Sequence, residues 1–261
     1  MFGLLRKLRR RRILAEPFPE RWLRTLERDV PPYRTLPPDR QARLRDLVQL
    51  FVAEKHWEGC AGLDLSDEPR LTIAAYACLL ILELDPNSYD HVITILVYPG
   101  EYRAPHKAVT EEGFERDELQ ARLGEAWSQG VVIIAWNDVE LRNRGRNVVV
   151  HEFAHQLDML NGPVDGTPPL RDAKSIEEWR RVMEAEFNRL QLHVENGLPT
   201  FLDPYGATSP AEFFAVTSEM FFQNPRGMRS NEPTLYRMLR GYYRQDPAAR
   251  ADRKDESAGP G

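Results

Sequence analysis

The chain has 261 residues, 42% of them hydrophobic and 29% charged, with a formal net charge of −5. That length suits one sizeable core or two small ones, and the balance is that of an ordinary globular protein. The acidic total argues against a general nucleic-acid binder. Two cysteines outside any CxxC pair, Cys60 and Cys78, exclude a zinc knuckle or a disulfide framework, so a reducing cytoplasm is the expected location.

Positive charge gathers at residues 6–12, RKLRRRR, and the ILAEPFPERW that follows has neither an apolar signal-peptide core nor a small-residue cleavage site. Residues 1–15 are therefore expected to be a solvated basic tail, with weak contact to phosphate or an acidic membrane as the alternative. No apolar run reaches spanning length; LTIAAYACLLILEL at 71–84 stops short and carries Glu83. A single domain is expected over 16–247, since no linker or repeat interrupts it. The polar AARADRKDESAGPG at 248–261 is expected to be a disordered tail.

Within the domain, Leu44, Leu47, Val48, Phe51 and Val52 recur with the period of an amphipathic helix over 39–55. Residues 70–84 read as a buried helix, while 91–98 and 130–138 are β-branched and read as strands. A helix over 147–160 leads into a Gly- and Pro-rich loop at 161–170. A further helix over 175–192 opens on a capping box of Ser175 and Glu178, with Ile176, Trp179, Met183, Phe187 and Leu190 as its apolar stripe. A loop at 202–209 precedes helices at 210–222 and 234–243. Short strands followed by a helical second half indicate the α+β class.

The chemistry concentrates in VVVHEFAHQLD at 148–158. Helical residues four apart rise about 6 Å and turn only about 40° from alignment, so His151 and His155 can aim at one metal ion. Glu152 lies about 100° around the helix, placed to take a proton from a metal-activated water. The competing reading is an amphipathic helix with two incidental histidines, and the apolar lead-in with Phe153, Ala154 and Leu157 favours the metal site. Asp158 and Asn161 occupy the glycine and third-histidine positions of HExxHxxGxxH, so an all-histidine site is excluded. His193 merely ends a helix. A carboxylate on SPAEFFAVTSEMFF is the other solution. Glu212 and Glu219, seven apart, share one face of that helix among Phe213, Phe214, Phe221 and Phe222. Glu212 also fits the N3 place of a capping box opened by Ser209 and Pro210. Spacing does not choose between the two acids.

Four segments, LELDPNSYDHVITILVYPGEY, NVVVHEFAHQLDMLNG, DPYGATSPAEFFAVTSEMFF and YRQDP, resemble the Mlc titration factor A (MtfA) family of zinc peptidases, with the similarity running over about residues 40–247. The active-site portion is also similar to the catalytic domain of anthrax lethal factor, including a tyrosine seven residues before the ligand glutamate. The resemblance implies a zincin-like, gluzincin-type domain, mostly helical with a small mixed sheet. It implies one Zn2+ per chain on His151, His155 and Glu212, with Glu152 as general base. Glu219 then falls outside the ligand set, as a support for a ligand or a surface acid. Tyr205 takes the matching tyrosine position, where its phenol can donate to an oxyanion, or it can simply pin a loop. Asp158 shares the histidines' face and can orient an imidazole or cap the following loop. Ala135, Trp136 and Asn137 are the implied backbone contacts to an extended peptide substrate. The family's link to the glucose-responsive repressor Mlc implies a regulatory partner, whose sequestration relieves repression of a sugar phosphotransferase gene without requiring hydrolysis. The basic run departs from the family pattern, and DNA binding through it lacks a recognition-helix pattern.

Overall fold

A computed structural model describes residues 2–100, 130–140 and 146–258. Helices α1 (Phe2–Ala15), α2 (Glu20–Asp29) and α3 (Pro38–Glu54) lead to strand β1 (His56–Gly59), helix α4 (Asp67–Leu80) and strands β2 (Thr94–Tyr98) and β3 (Val131–Ala135). The rest is helical: α5 (Trp136–Glu140), α6 (Val148–Asp158), α7 (Ala173–Glu195), α8 (Pro210–Gln223), α9 (Pro225–Asn231), α10 (Pro233–Tyr243) and α11 (Pro247–Ala258). The described residues are mostly helix around one small sheet, as the α+β expectation requires.

That sheet has the order β1-β2-β3, with His56 opposite Thr94 and Thr94 opposite Val131. All its pairings are parallel, which corrects the mixed sheet expected above for the described strands. Parallel neighbours need a crossover, and α4 supplies the one between β1 and β2. Helix α4 is apolar nearly all round, and Leu71 through Leu80 are all buried. Helix α6 lies over this core through Val149, Val150, Phe153, Ala154 and Leu157, each fully buried. Phe153 meets the rings of Phe51 and Tyr89 edge-on, at centroid distances of 5.6 and 4.9 Å. The apolar side of this helix is thereby fixed against the core.

Several boundaries differ from the sequence expectation for local reasons. The second expected strand ends at Ala135, and Trp136 and Asn137 belong to α5. Of the three residues expected to contact substrate, Ala135 ends the strand and Trp136 and Asn137 open the helix. Helix α7 starts at Ala173, two residues before the expected start, because Asp172 is its N-cap and accepts from the Ser175 N–H at 2.8 Å. Ser175 thus sits inside the helix.

The basic run, expected as a solvated tail, is part of α1. Arginine and leucine are good helix formers, and no glycine or proline interrupts residues 4–15. Arg10 grips Glu54 with two bonds of 2.8 and 2.7 Å, and Arg6, one turn earlier, pairs with Asp90. Burial pushes the Glu54 carboxyl up, but the Arg10 guanidinium outweighs it and lowers its pKa. At the other end, residues 247–258, largely inside the expected disordered tail, form α11. Ala248 is fully buried there, and Arg226 reaches Asp252 at 2.7 Å.

The loop between α6 and α7 turns on Gly166. Its N–H donates to Asp158 at 2.7 Å, and its carbonyl accepts from the Trp179 indole at 2.9 Å. Its φ is +78°, and a Cβ there would stand 2.4 Å from the carbonyl oxygen of Pro210, the first residue of α8. Three helices therefore meet at a position only glycine fits. Gly166→Ala is expected to destabilise the fold by about 2 kcal/mol or more, read from the urea-denaturation midpoint. A midpoint equal to the parent's would show that the junction yields.

Candidate metal centre

Helices α6 and α8 build the centre. Asn147 caps α6, its side chain accepting from the Val150 N–H at 3.1 Å, and this fixes the first turn that carries His151. Ser209 caps α8 and accepts from the Glu212 N–H at 3.2 Å, with Pro210 at the first helical position. Glu212 does sit at N3, yet its carboxylate is aimed across at α6. Its Oε2 lies 2.9 Å from His151 Nε2 and 3.6 Å from His155 Nε2. The two Nε2 atoms stand 3.2 Å apart.

Ligand atoms about 2.0–2.1 Å from a tetrahedral zinc are separated by roughly 3.3 Å. The three distances straddle that value, so the donor set already has the spacing of one face of a metal tetrahedron. Among the described residues these are the His, Cys, Asp or Glu side chains that group in this way. Two neutral imidazoles and one carboxylate form a donor set suited to zinc.

Glu219, about two helical turns beyond Glu212, meets the other side of the same imidazole. Its Oε1 is 2.6 Å from His151 Nδ1, and its Oε2 accepts from the Asn147 N–H at 2.8 Å. Both acids that spacing could not separate are therefore used, one on each nitrogen of His151. A carboxylate on Nδ1 fixes the tautomer that leaves Nε2 free to bind a metal.

The electrostatics follow from burial. Burial pulls the His151 pKa down, but hydrogen bonds to Glu212 and Glu219 outweigh it and raise it to about 10. His155 moves the other way, lowered by burial and by the charge of its neighbour. Glu212 is lowered: burial opposes this, and the two imidazoles prevail. The pocket between the helices is thus organised to hold positive charge against two buried carboxylates.

Glu152 is half-buried beside this cluster, and its charge contributes to the raised His151 pKa. Tyr205 lies on a short 3-10 turn, Pro204–Ala207, with its ring centroid 6.1 Å from that of His151 and 37% of its surface exposed. Asp203 shapes that turn by accepting from the Tyr205 N–H at 2.9 Å. Arg146, immediately before the α6 cap, donates to the same Asp203 at 2.7 Å. The turn bearing the tyrosine is so tied to the start of the histidine helix. Asp158 is fully buried and accepts from the Gly166 N–H, tying the following loop to α6. The orienting role expected of it falls, for His151, to Glu219.

Asn147, Arg146 and Asp203 were not singled out by the sequence. An Asn directly before VVVHE is a readable cap signal, but the Arg146–Asp203 pair joins residues 57 apart and has no local signature.

A family profile described as "Glucose-regulated metallo-peptidase M90" matches residues 5–244. The chain belongs to this family. The Synechocystis protein slr2042 is 39% identical over 244 residues, covering 92% of this chain and 89% of its own. Mlc titration factor A of Salmonella arizonae is 34% identical over 230 residues, 85% of this chain and 90% of that one. Mlc titration factor A of Escherichia fergusonii is 30% identical over 234 residues, 88% of each chain. A metallo-peptidase family is thus joined, among the described residues, to a cluster of His151, His155 and Glu212 that could hold a metal ion.

Glu219→Gln keeps the shape of the side chain but cannot accept from both His151 and the Asn147 N–H. Its metal affinity is expected to fall about 10–100-fold, measured by competition with a chromogenic chelator. Affinity within twofold of the parent would remove Glu219 from the support of the site.

Proposed function

We propose that the chain is a zinc metallopeptidase of zincin-like, gluzincin type that hydrolyses peptide bonds. The observation that carries this reading is the convergence of His151 Nε2, His155 Nε2 and Glu212 Oε2 at 2.9–3.6 Å, with Glu152 next along the same helix. These three side chains would hold one zinc ion per chain. Bound zinc supplies Lewis acidity, lowering the pKa of water toward about 7 and polarising the scissile carbonyl.

The chain's own groups do the rest. The Glu152 carboxylate takes the proton of the attacking water and delivers it to the leaving amine nitrogen, so one acid serves as base and then as acid. The Tyr205 hydroxyl, exposed beside His151, donates to the carbonyl oxygen as it gains negative charge. Glu219 keeps His151 in its ligand tautomer throughout. Strand β3, at the edge of the sheet among the described residues, and the start of α5 contribute Ala135, Trp136 and Asn137 as contacts for substrate.

The names of the Salmonella and Escherichia relatives favour a second role, capture of the repressor Mlc, linked to control of sugar uptake. Two free thiols suit a cytoplasmic setting for it. Capture and hydrolysis are separable because capture needs a surface and hydrolysis needs Glu152.

Metal content and turnover of an unstructured peptide, measured side by side for the parent and Glu152→Gln, test both roles. The variant is expected to retain about one zinc and to lose about 10²–10⁴-fold in turnover. Equal turnover by the two proteins would sink the mechanism. In a pull-down with purified Mlc the same variant is expected to bind as the parent does, and loss of capture along with cleavage would reject separate roles.

A further inference from the structure

Helix α1 has two faces with different fates. Arg6, Arg10 and Ile13, spaced at about one turn, face the body: the arginines pair with Asp90 and Glu54, and the Ile13 carbonyl accepts from the Gln49 amide at 2.8 Å. At about 100° per residue, Leu4, Leu5 and Leu8 spread over an arc of about 100° on the far side. They are 66%, 60% and 50% exposed. Arg12 falls within that arc, one turn beyond Leu8, and Arg11 and Lys7 lie along one edge of it; all three are exposed, and none has a carboxylate partner among the described residues. Single exposed leucines are ordinary. Three together on one helix face, set among cations on a chain of net charge −5, are not.

We propose that α1 is a membrane-surface helix, docking the protein onto bilayers rich in anionic phospholipid. Its fourteen residues make about 21 Å of helix, too short for a hydrocarbon core of about 30 Å, so it lies in the plane of the headgroups. Leu4, Leu5 and Leu8 enter the acyl boundary, and Lys7, Arg11 and Arg12 meet lipid phosphates at its rim. The ion pairs of Arg6 and Arg10 keep the helix attached to the body and hold the leucines outward. The leucines also distinguish this occupant from nucleic acid, which offers cations many partners and an exposed leucine face none.

The test is flotation of the full chain with vesicles of phosphatidylcholine alone and with phosphatidylglycerol added. The parent is expected to float with the phosphatidylglycerol vesicles only, and less so as salt is raised. Each cation near an anionic surface is worth about fivefold in binding, so Arg11→Glu with Arg12→Glu should reduce partitioning more than tenfold. Leu4→Gln, Leu5→Gln and Leu8→Gln together should do the same. Both sets lie on the solvent face, so the thermal midpoint should stay at the parent's value, and either set alone suffices if the other fails to fold. Equal flotation with both vesicle types, or flotation that neither set disturbs, would overturn the proposal. It would also fall if duplex DNA bound as tightly as vesicles and the leucine variant kept that binding. A dimer dissolved by the leucine variant, in a protein that does not float, would overturn it too.

Discussion

One imidazole gripped from both sides organises this molecule. His151 meets Glu212 at Nε2 and Glu219 at Nδ1, and the two acids come from a helix that shares no local sequence with it. A buried carboxylate is costly unless it is paired, and here two carboxylates lie 8% or 10% exposed within a phenylalanine-rich layer. The pairing tolerates no slippage: moving α8 by one residue along α6 would turn both acids into apolar surroundings. Phe213, Phe214, Phe221 and Phe222, all buried, hold that register from the other side. The centre is therefore set by packing first, and its charges are stable only in the arrangement that packing allows.

The same logic shows why part of the site was legible in the sequence and part was not. His151, Glu152 and His155 lie within one helix, where spacing fixes direction, and the structure brings the two imidazoles together as spacing requires. Glu212 and Glu219 share a face, so spacing alone found both and ranked neither. The missing information was which imidazole nitrogen each would meet, a property of how two distant helices pack. Strand β1 is a further case: HWEG carries no alternating pattern, and it is a strand because Thr94–Tyr98 lies beside it. Helix α1 was read as solvated because its partners, Glu54 and Asp90, lie 44 and 84 residues from the arginines that find them. Composition reports charge and is silent about distant counter-charges.

Asp158 completes the charge argument. Burial, against the hydrogen bond from Gly166, raises its pKa to about 7. Its Oδ2 holds the loop, and its Oδ1 accepts no hydrogen bond from the described residues. The oxygen that accepts from Gly166 keeps the α6–α7 loop against Pro210. The acid that looked on spacing like a partner for the histidines is thus better understood as part of the scaffold: it holds the end of the metal helix to the start of the helix that bears Glu212. Precision at the centre then comes from two ties at opposite ends of α6, the Asn147–Glu219 bond at its start and the Asp158–Gly166 bond at its finish. A helix of eleven residues secured at both ends has little freedom to tilt, and this keeps two imidazoles converged on one point.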